Sequence, residues 1–259
     1  RTLPAINWEM SVSDLIDRSI RSLIEHPFRT LGVGCAISLL LHLPFMNMPP
    51  RGNHTWRQCN TLSVARNFFE EDMNILRPRI DRRENTDGVT GMQFPSYEYM
   101  VASIYHLTGE QFWVHRWLQF LLFVIGVFGV YRLALTITGS TSLSLFSAWF
   151  YLWSPELFYH SINALPDVLA LSASIWGFFW FLEYVKSYQL KSLIFSTLAL
   201  TIAGATKMQY LAVGGGLLSV VLLNWRSFNF RNWFLLTISG FTILGLTFGW
   251  YLYADHLIR

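Results

Sequence analysis

Side chains able to act as acids, bases or anion ligands are gathered between Arg51 and Tyr97, in three clusters: His54-Thr-Trp-Arg57-Gln58, Arg77-Pro-Arg-Ile-Asp81 and Gln93-Phe-Pro-Ser-Tyr97. The pattern predicts helices over about Thr61 to Glu71 and about Pro95 to Leu107. His54, Arg57 and Gln58 then stand immediately before a helix whose first amides lack partners, a set of donors suited to a phosphate or another anion. The plainer reading of the same residues is that they solvate a helix start beside a membrane. Asp81 follows the apolar Ile80, which aims it inward as a general base if a sugar or lipid hydroxyl lies within hydrogen-bond reach. Around it, Arg66, Arg77, Arg79, Arg82 and Arg83 alternate with Glu70, Glu71, Asp72, Glu84 and Asp87, which reads as solvated surface pairing.

Two further ionisable residues sit at the ends of apolar runs. Asp167 follows Pro166, and Lys207 follows Thr206. Charged groups in or beside a bilayer face a cavity or reach out to the interface. Helix capping by Asp167 and an outstretched Lys207 are the plain readings; convergence of both on the loop, lining one cavity with it, is the functional one. His42, His106, His115, His160 and His256 show no paired metal spacing and read as interface histidines.

The chain around these clusters is largely apolar. Of 259 residues, 53% are hydrophobic and only 14% charged, well below the roughly 25% charged of a soluble domain. At roughly 20 apolar residues per span, the runs allow about seven crossings. They are predicted at about Thr30 to Phe45, Trp113 to Thr136, Ser142 to Phe158, Leu165 to Tyr184, Ser192 to Ala205, Tyr210 to Leu223 and Asn232 to Tyr253. The expected fold is therefore an all-α integral membrane protein with a large helical loop, residues 51–111, between spans one and two.

Val12, Leu15, Ile16, Ile20, Leu23 and Ile24 recur at helical spacing opposite Asp14, Asp17, Arg18 and Arg21, so residues 1–29 are expected to carry an amphipathic surface helix, with residues 30–259 as the transmembrane module. No cleaved leader is read before the first span. Arg29, Arg132, Lys186, Lys191, Arg226 and Arg231 fall on one side if the spans alternate. That side is expected to be cytoplasmic with the amino terminus, leaving the long loop and Lys207 on the outer face. A net charge of +3 without a basic face argues against nucleic acid as a partner. Cys35 in an apolar run and Cys59 in the loop exclude a cysteine metal site and argue against a mutual disulfide.

The order of parts, and the segments His54-Thr-Trp-Arg-Gln58, Ser63-Val-Ala-Arg-Asn-Phe68, Arg77-Pro-Arg-Ile-Asp81 and Gln93-Phe-Pro-Ser-Tyr97, resemble the amino-terminal membrane module of GT-C glycosyltransferases. The resemblance is to the group around protein O-mannosyltransferases and lipid A aminoarabinose transferases. Pro166-Asp167 and Thr206-Lys207 fall where that group carries a proline-aspartate and a lysine. It implies an inverting transferase that moves a sugar from a polyprenyl-phosphate carrier to an acceptor at the outer face of a bacterial inner membrane. By the same resemblance, Asp81 is the base with His54 second, Arg57 and Lys207 meet the carrier phosphate, and Gln58, Gln93 and Tyr97 orient sugar or carrier beside Asp167.

The sequence also departs from that pattern. The acidic pair common at the start of the first loop helix is replaced by Arg57-Gln58-Cys59-Asn60, and the glutamate common before the loop proline by Gln93. The divalent metal often used by such enzymes thus loses its usual carboxylates, and no metal ligand is assigned. Two alternatives follow: a noncatalytic scaffold of the same fold that binds lipid or other membrane subunits, and a transporter, for which Gly214-Gly-Gly216 is the one hint of a broken helix.

Overall fold

The computed structural model describes residues 22–258. The surface helix expected from Ser11 to Pro27 lies outside the described residues except at its end. Helix α1, Pro27–His42, opens with Pro27 at its first position, where the missing amide costs no hydrogen bond, and runs into a 3-10 turn at Leu43–Phe45. The loop holds α2, Thr55–Glu70, and α3, Ser96–Thr108. Val64 and Phe68 of α2 pack on Ala102 of α3, which makes the loop a small folded unit. Between them, Ile80 donates to Gly88 O at 3.0 Å and Thr90 to Pro78 O at 3.0 Å, folding the Arg77–Asp81 segment into a tight excursion.

The remaining helices are α4, Phe112–Thr138; α5, Thr141–Trp153; α6, Pro155–His160; α7, Asp167–Ser187; α8, Leu190–Thr206; α9, Gly214–Leu223; and α10, Phe230–Ile258. Among the described residues there is no strand, only an isolated bridge between Arg79 and Val89. Four helical stretches are long and apolar enough to cross a membrane: Pro27–Phe45, Phe112–Thr138, Asp167–Ser187 and Phe230–Ile258. Leu190–Thr206 and Met208–Leu223 are shorter apolar helices.

The run expected as one span from Ser142 to Phe158 is divided. Pro155 has no amide to donate, and its ring disfavours helical geometry at Ser154, so α5 ends at Trp153 and α6 restarts in a new direction. At about 1.5 Å per residue, the 13 residues of α5 cover about 20 Å, short of the roughly 30 Å hydrocarbon core. The first loop helix begins at Thr55 rather than Thr61, so Arg57 and Gln58 lie in its first turn instead of ahead of it.

α7 packs between α4 and α8, and α10 lies against α8. Hydroxyls and small residues join these helices, as suits an environment without water to satisfy them. Ser172 Oγ donates to Leu122 O at 2.9 Å, Ser196 Oγ to Gly177 O at 2.8 Å, and Thr197 meets Ser239 at 2.6 Å. Phe146, Phe150, Leu222, Phe241 and Leu252 face outward, an apolar exterior that matches lipid better than water.

Candidate functional site

Two helix ends bring charge to one place. Pro166 starts α7, so Asp167 is its first residue, at the positive end of the helix dipole. α8 stops at Thr206, and Lys207 has extended backbone geometry, which turns its side chain out of the helix. Lys207 Nζ and Asp167 Oδ1 are 2.9 Å apart. The loop is fastened to the same end of α8: Phe94 N donates to Ala205 O at 2.9 Å, and the Ser96 and Thr206 hydroxyls are 2.8 Å apart.

α2 faces this pair from the other side. His54 takes up the left-handed region at φ 58° and so turns the chain into α2. Its ring centroid lies 6.0 Å from that of His160, which pairs with Glu156 one helical turn earlier at 3.0 Å. His54, Arg57, Glu156, His160, Asp167 and Lys207 line a cavity of about 300 Å³, closed on its apolar side by Leu165, Val168 and Leu171.

Behind Arg57 runs a chain of polar contacts. Arg57 Nη2 donates to Gln93 Oε1 at 2.5 Å, and Gln93 Nε2 donates to Glu98 Oε1 at 3.3 Å. Glu98 is fully buried and its second carboxylate oxygen has no partner. Burial pushes its carboxyl up from 4.5 to about 7, although the charges of Arg57 and Lys207 and the amide of Gln93 favour the ionised form.

Of the residues singled out in the sequence, His54, Arg57, Asp167 and Lys207 meet in the cavity, and Gln93 braces Arg57. Gln58 does not face it: its side chain is buried and donates to Asn53 O at 3.1 Å and Arg51 O at 3.4 Å, tying down the preceding turn. Tyr97 is buried between α3 and α4, with its hydroxyl donating to His115 O at 3.1 Å. Asp81 is outside the cavity, half exposed, and bonded by Arg66 at 2.5 Å and by Asn67 Nδ2 at 3.2 Å. Its neighbours are likewise engaged in surface pairs, Arg77 with Asp87, Arg82 with Glu84 and Arg83 with Glu71.

Sequence reasoning passed over Glu98 and Glu156 and read His160 as an interface histidine. Glu98 shares the buried face of α3 with Val101, Ala102 and Tyr105, a spacing visible in the sequence. Glu156 and His160 are four apart just after a proline that starts a helix, which puts them on one face. His160 therefore belongs to the cavity and is not an ordinary interface histidine.

No three His, Cys, Asp or Glu residues among those described gather to hold a metal, and the ammonium of Lys207 stands beside Asp167 where a cation would sit.

Comparison with known proteins returned one family. Its model, described as dolichyl-phosphate-mannose-protein mannosyltransferase, matches residues 93–251. No curated protein and no solved structure matched. The matched region takes in Gln93, Glu98, Asp167 and Lys207, whereas His54, Arg57 and Asp81 precede it. With residues 93–251 matched, more than half of its length, this helical membrane chain belongs to the dolichyl-phosphate-mannose-protein mannosyltransferase family of GT-C glycosyltransferases, which use polyprenyl-phosphate-linked sugars as donors.

Proposed function

We propose that the protein transfers a glycosyl group from a polyprenyl-phosphate carrier to a hydroxyl acceptor, at the outer face of a bacterial inner membrane, in the cavity between α2, α6, α7 and the end of α8. The observation that carries this reading is the meeting of Arg57 and Lys207 with the carboxylate of Asp167 in one cavity beside apolar walls.

In this reading Arg57 and Lys207 hold the carrier phosphate, and their charges stabilise it as it leaves with the electrons of the anomeric C–O bond. The acceptor oxygen forms the new bond at the anomeric carbon as it gives its proton to Asp167, whose Oδ1 faces Lys207 and whose other oxygen is left for the hydroxyl. His54 orients the acceptor. Asp81, held by Arg66 outside the cavity, has a structural role in the loop.

The proposed topology is seven crossings with the amino terminus inside, the divided run of α5 and α6, α8, and Met208–Leu223 completing the count. Cation placement supports it. Lys186 Nζ donates to Thr136 O at 3.0 Å and Tyr188 Oη to Ser227 O at 3.3 Å, so Lys186, Lys191 and Arg226 gather at the helix ends opposite Lys207.

The test is transfer by purified protein in lipid vesicles, given radiolabelled polyprenyl-phosphate sugars and membrane acceptors. Asp167→Asn and Lys207→Met are expected to lower turnover about 10²-fold or more while Asp81→Asn stays within about twofold. Loss of transfer in Asp81→Asn alone would move the base to the loop. Absence of transfer by wild type from every carrier, with stable co-purification of other membrane subunits, would favour a noncatalytic scaffold.

A further inference from the structure

A second cationic cavity lies on the other side of α6. It measures about 360 Å³ and is walled by Leu41, Phe45, Phe158 and Ile162, with Arg51 and Arg116 as its charged residues. The two cavities share neighbouring residues: His54 and His160 line the first, while Tyr159, next to His160, and Gly52, two residues before His54, line the second.

Neither arginine has a carboxylate partner among the described residues, and no acidic residue lines this cavity. Arg116 is 2% exposed. Its Nε, Nη1 and Nη2 donate to the carbonyls of Met48, Ile162 and Pro49 at 2.9, 3.2 and 3.0 Å. Those dipoles satisfy its geometry but leave a full positive charge in an apolar wall, which a nearby anion would balance. Arg51 stands at the rim, its guanidinium over the Phe45 ring at 5.5 Å from the centroid, and among the described residues nothing hydrogen-bonds its fork, which leaves it open to an anion.

The rim is held ready rather than left to fold around a ligand. Asn53 N donates to Tyr159 Oη at 2.8 Å, and buried Gln58 bonds the carbonyls of Arg51 and Asn53. A cavity with two guanidiniums that have no carboxylate partner among the described residues, and four apolar side chains around them, matches an amphiphile with a phosphate head and a hydrocarbon body.

We propose that the Arg51–Arg116 cavity binds the phosphate head of an anionic bilayer phospholipid, its chains lying along Leu41 and Phe45 of the α1 end. This site is separate from the transfer cavity, and the proposal stands or falls without reference to transferase activity.

The test is native mass spectrometry of the full chain released from nanodiscs of equal phosphatidylglycerol and phosphatidylcholine. Wild type is expected to retain one phosphatidylglycerol in preference to phosphatidylcholine. Arg51→Ala, at an exposed side chain, is expected to lower that retention about tenfold, the loss of a charge-assisted hydrogen bond, with unchanged thermal unfolding. Arg226→Ala, an exposed arginine at the other end, is expected to retain it as wild type does. Equal retention of both lipids, full retention by Arg51→Ala, or equal loss in Arg226→Ala overturns the proposal. Displacement by millimolar inorganic phosphate would make this a free-anion site, and displacement by a short polyprenyl phosphate would make it a carrier site; either result also overturns it.

Discussion

The ammonium of Lys207 lies 2.9 Å from the carboxylate of Asp167, across the contact between the end of α8 and the start of α7. Both side chains are partly exposed to the cavity, at 22% and 34%, so the pair contributes modestly to stability and remains accessible to a ligand. A double-mutant cycle with Asp167→Asn and Lys207→Met is expected to give a stability coupling of about 1 kcal/mol or less, read by thermal unfolding in detergent. Each single variant is expected to lose far more in turnover than in stability. Parallel losses in both would make the pair a structural tie.

Glu98 makes stability depend on pH. Its carboxyl titrates near 4.5 when unfolded and about 7 in the fold, so between those values the native chain holds a proton that the unfolded chain has released. Stability from this group is therefore complete below about pH 4.5, falls as pH rises towards 7, and levels off above it. At about 1.4 kcal/mol per unit the full difference is about 3 kcal/mol. Thermal unfolding across this range is expected to show the fall in wild type and to lose it in Glu98→Gln.

Gln93 lies between a cation and this buried acid, bonding Arg57 at 2.5 Å and Glu98 at 3.3 Å. Gln93→Glu would pair with Arg57 but replace a donor to Glu98 with a second carboxylate, and two such groups cannot both ionise at low cost. The fall in stability is expected to shift to higher pH by about one unit or more. An unshifted profile would show that the two side chains are not coupled.

Gly52 is required by geometry. Its φ of +79° lies in the region that penalises a side chain, and an added Cβ would come 2.1 Å from Tyr159 Oη. Gly52→Ala is expected to cost about 1–3 kcal/mol and to release the Asn53 bond to Tyr159, with a smaller penalty in a Tyr159→Phe background. An equal penalty in both backgrounds would place the strain in the backbone alone.

Much of the architecture was legible in one sequence because a bilayer imposes a length. Trp113 to Thr136 and Asn232 to Tyr253 each hold enough consecutive apolar residues to span and lie within α4 and α10, and Leu165 to Tyr184 coincides with α7 except for its first two residues. Reading Ser142 to Phe158 as one apolar run concealed the break at Pro155, although the proline was in plain sight. The break turns α6 aside and carries Glu156 and His160 into the cavity.

Residue type and position marked His54, Arg57, Asp167 and Lys207 as able to do chemistry, since charge beside an apolar run needs a reason. Their convergence belongs to tertiary structure: 40 positions separate Asp167 from Lys207, and only the packing of α7 on α8 and the turn after Thr206 set the two groups in contact. The same holds for direction. Gln58 and Tyr97 sit in the polar loop beside Arg57 and Gln93, yet both point into the protein, while Glu98 is drawn inward with Val101 and Ala102 on the packed face of α3. Residue order alone says which stretches must leave water and which side chains carry charge. Which of those charges share a cavity was decided by helix packing, because a side chain's partners depend on the direction of its Cα–Cβ bond and on what lies across from it, and neither is encoded locally.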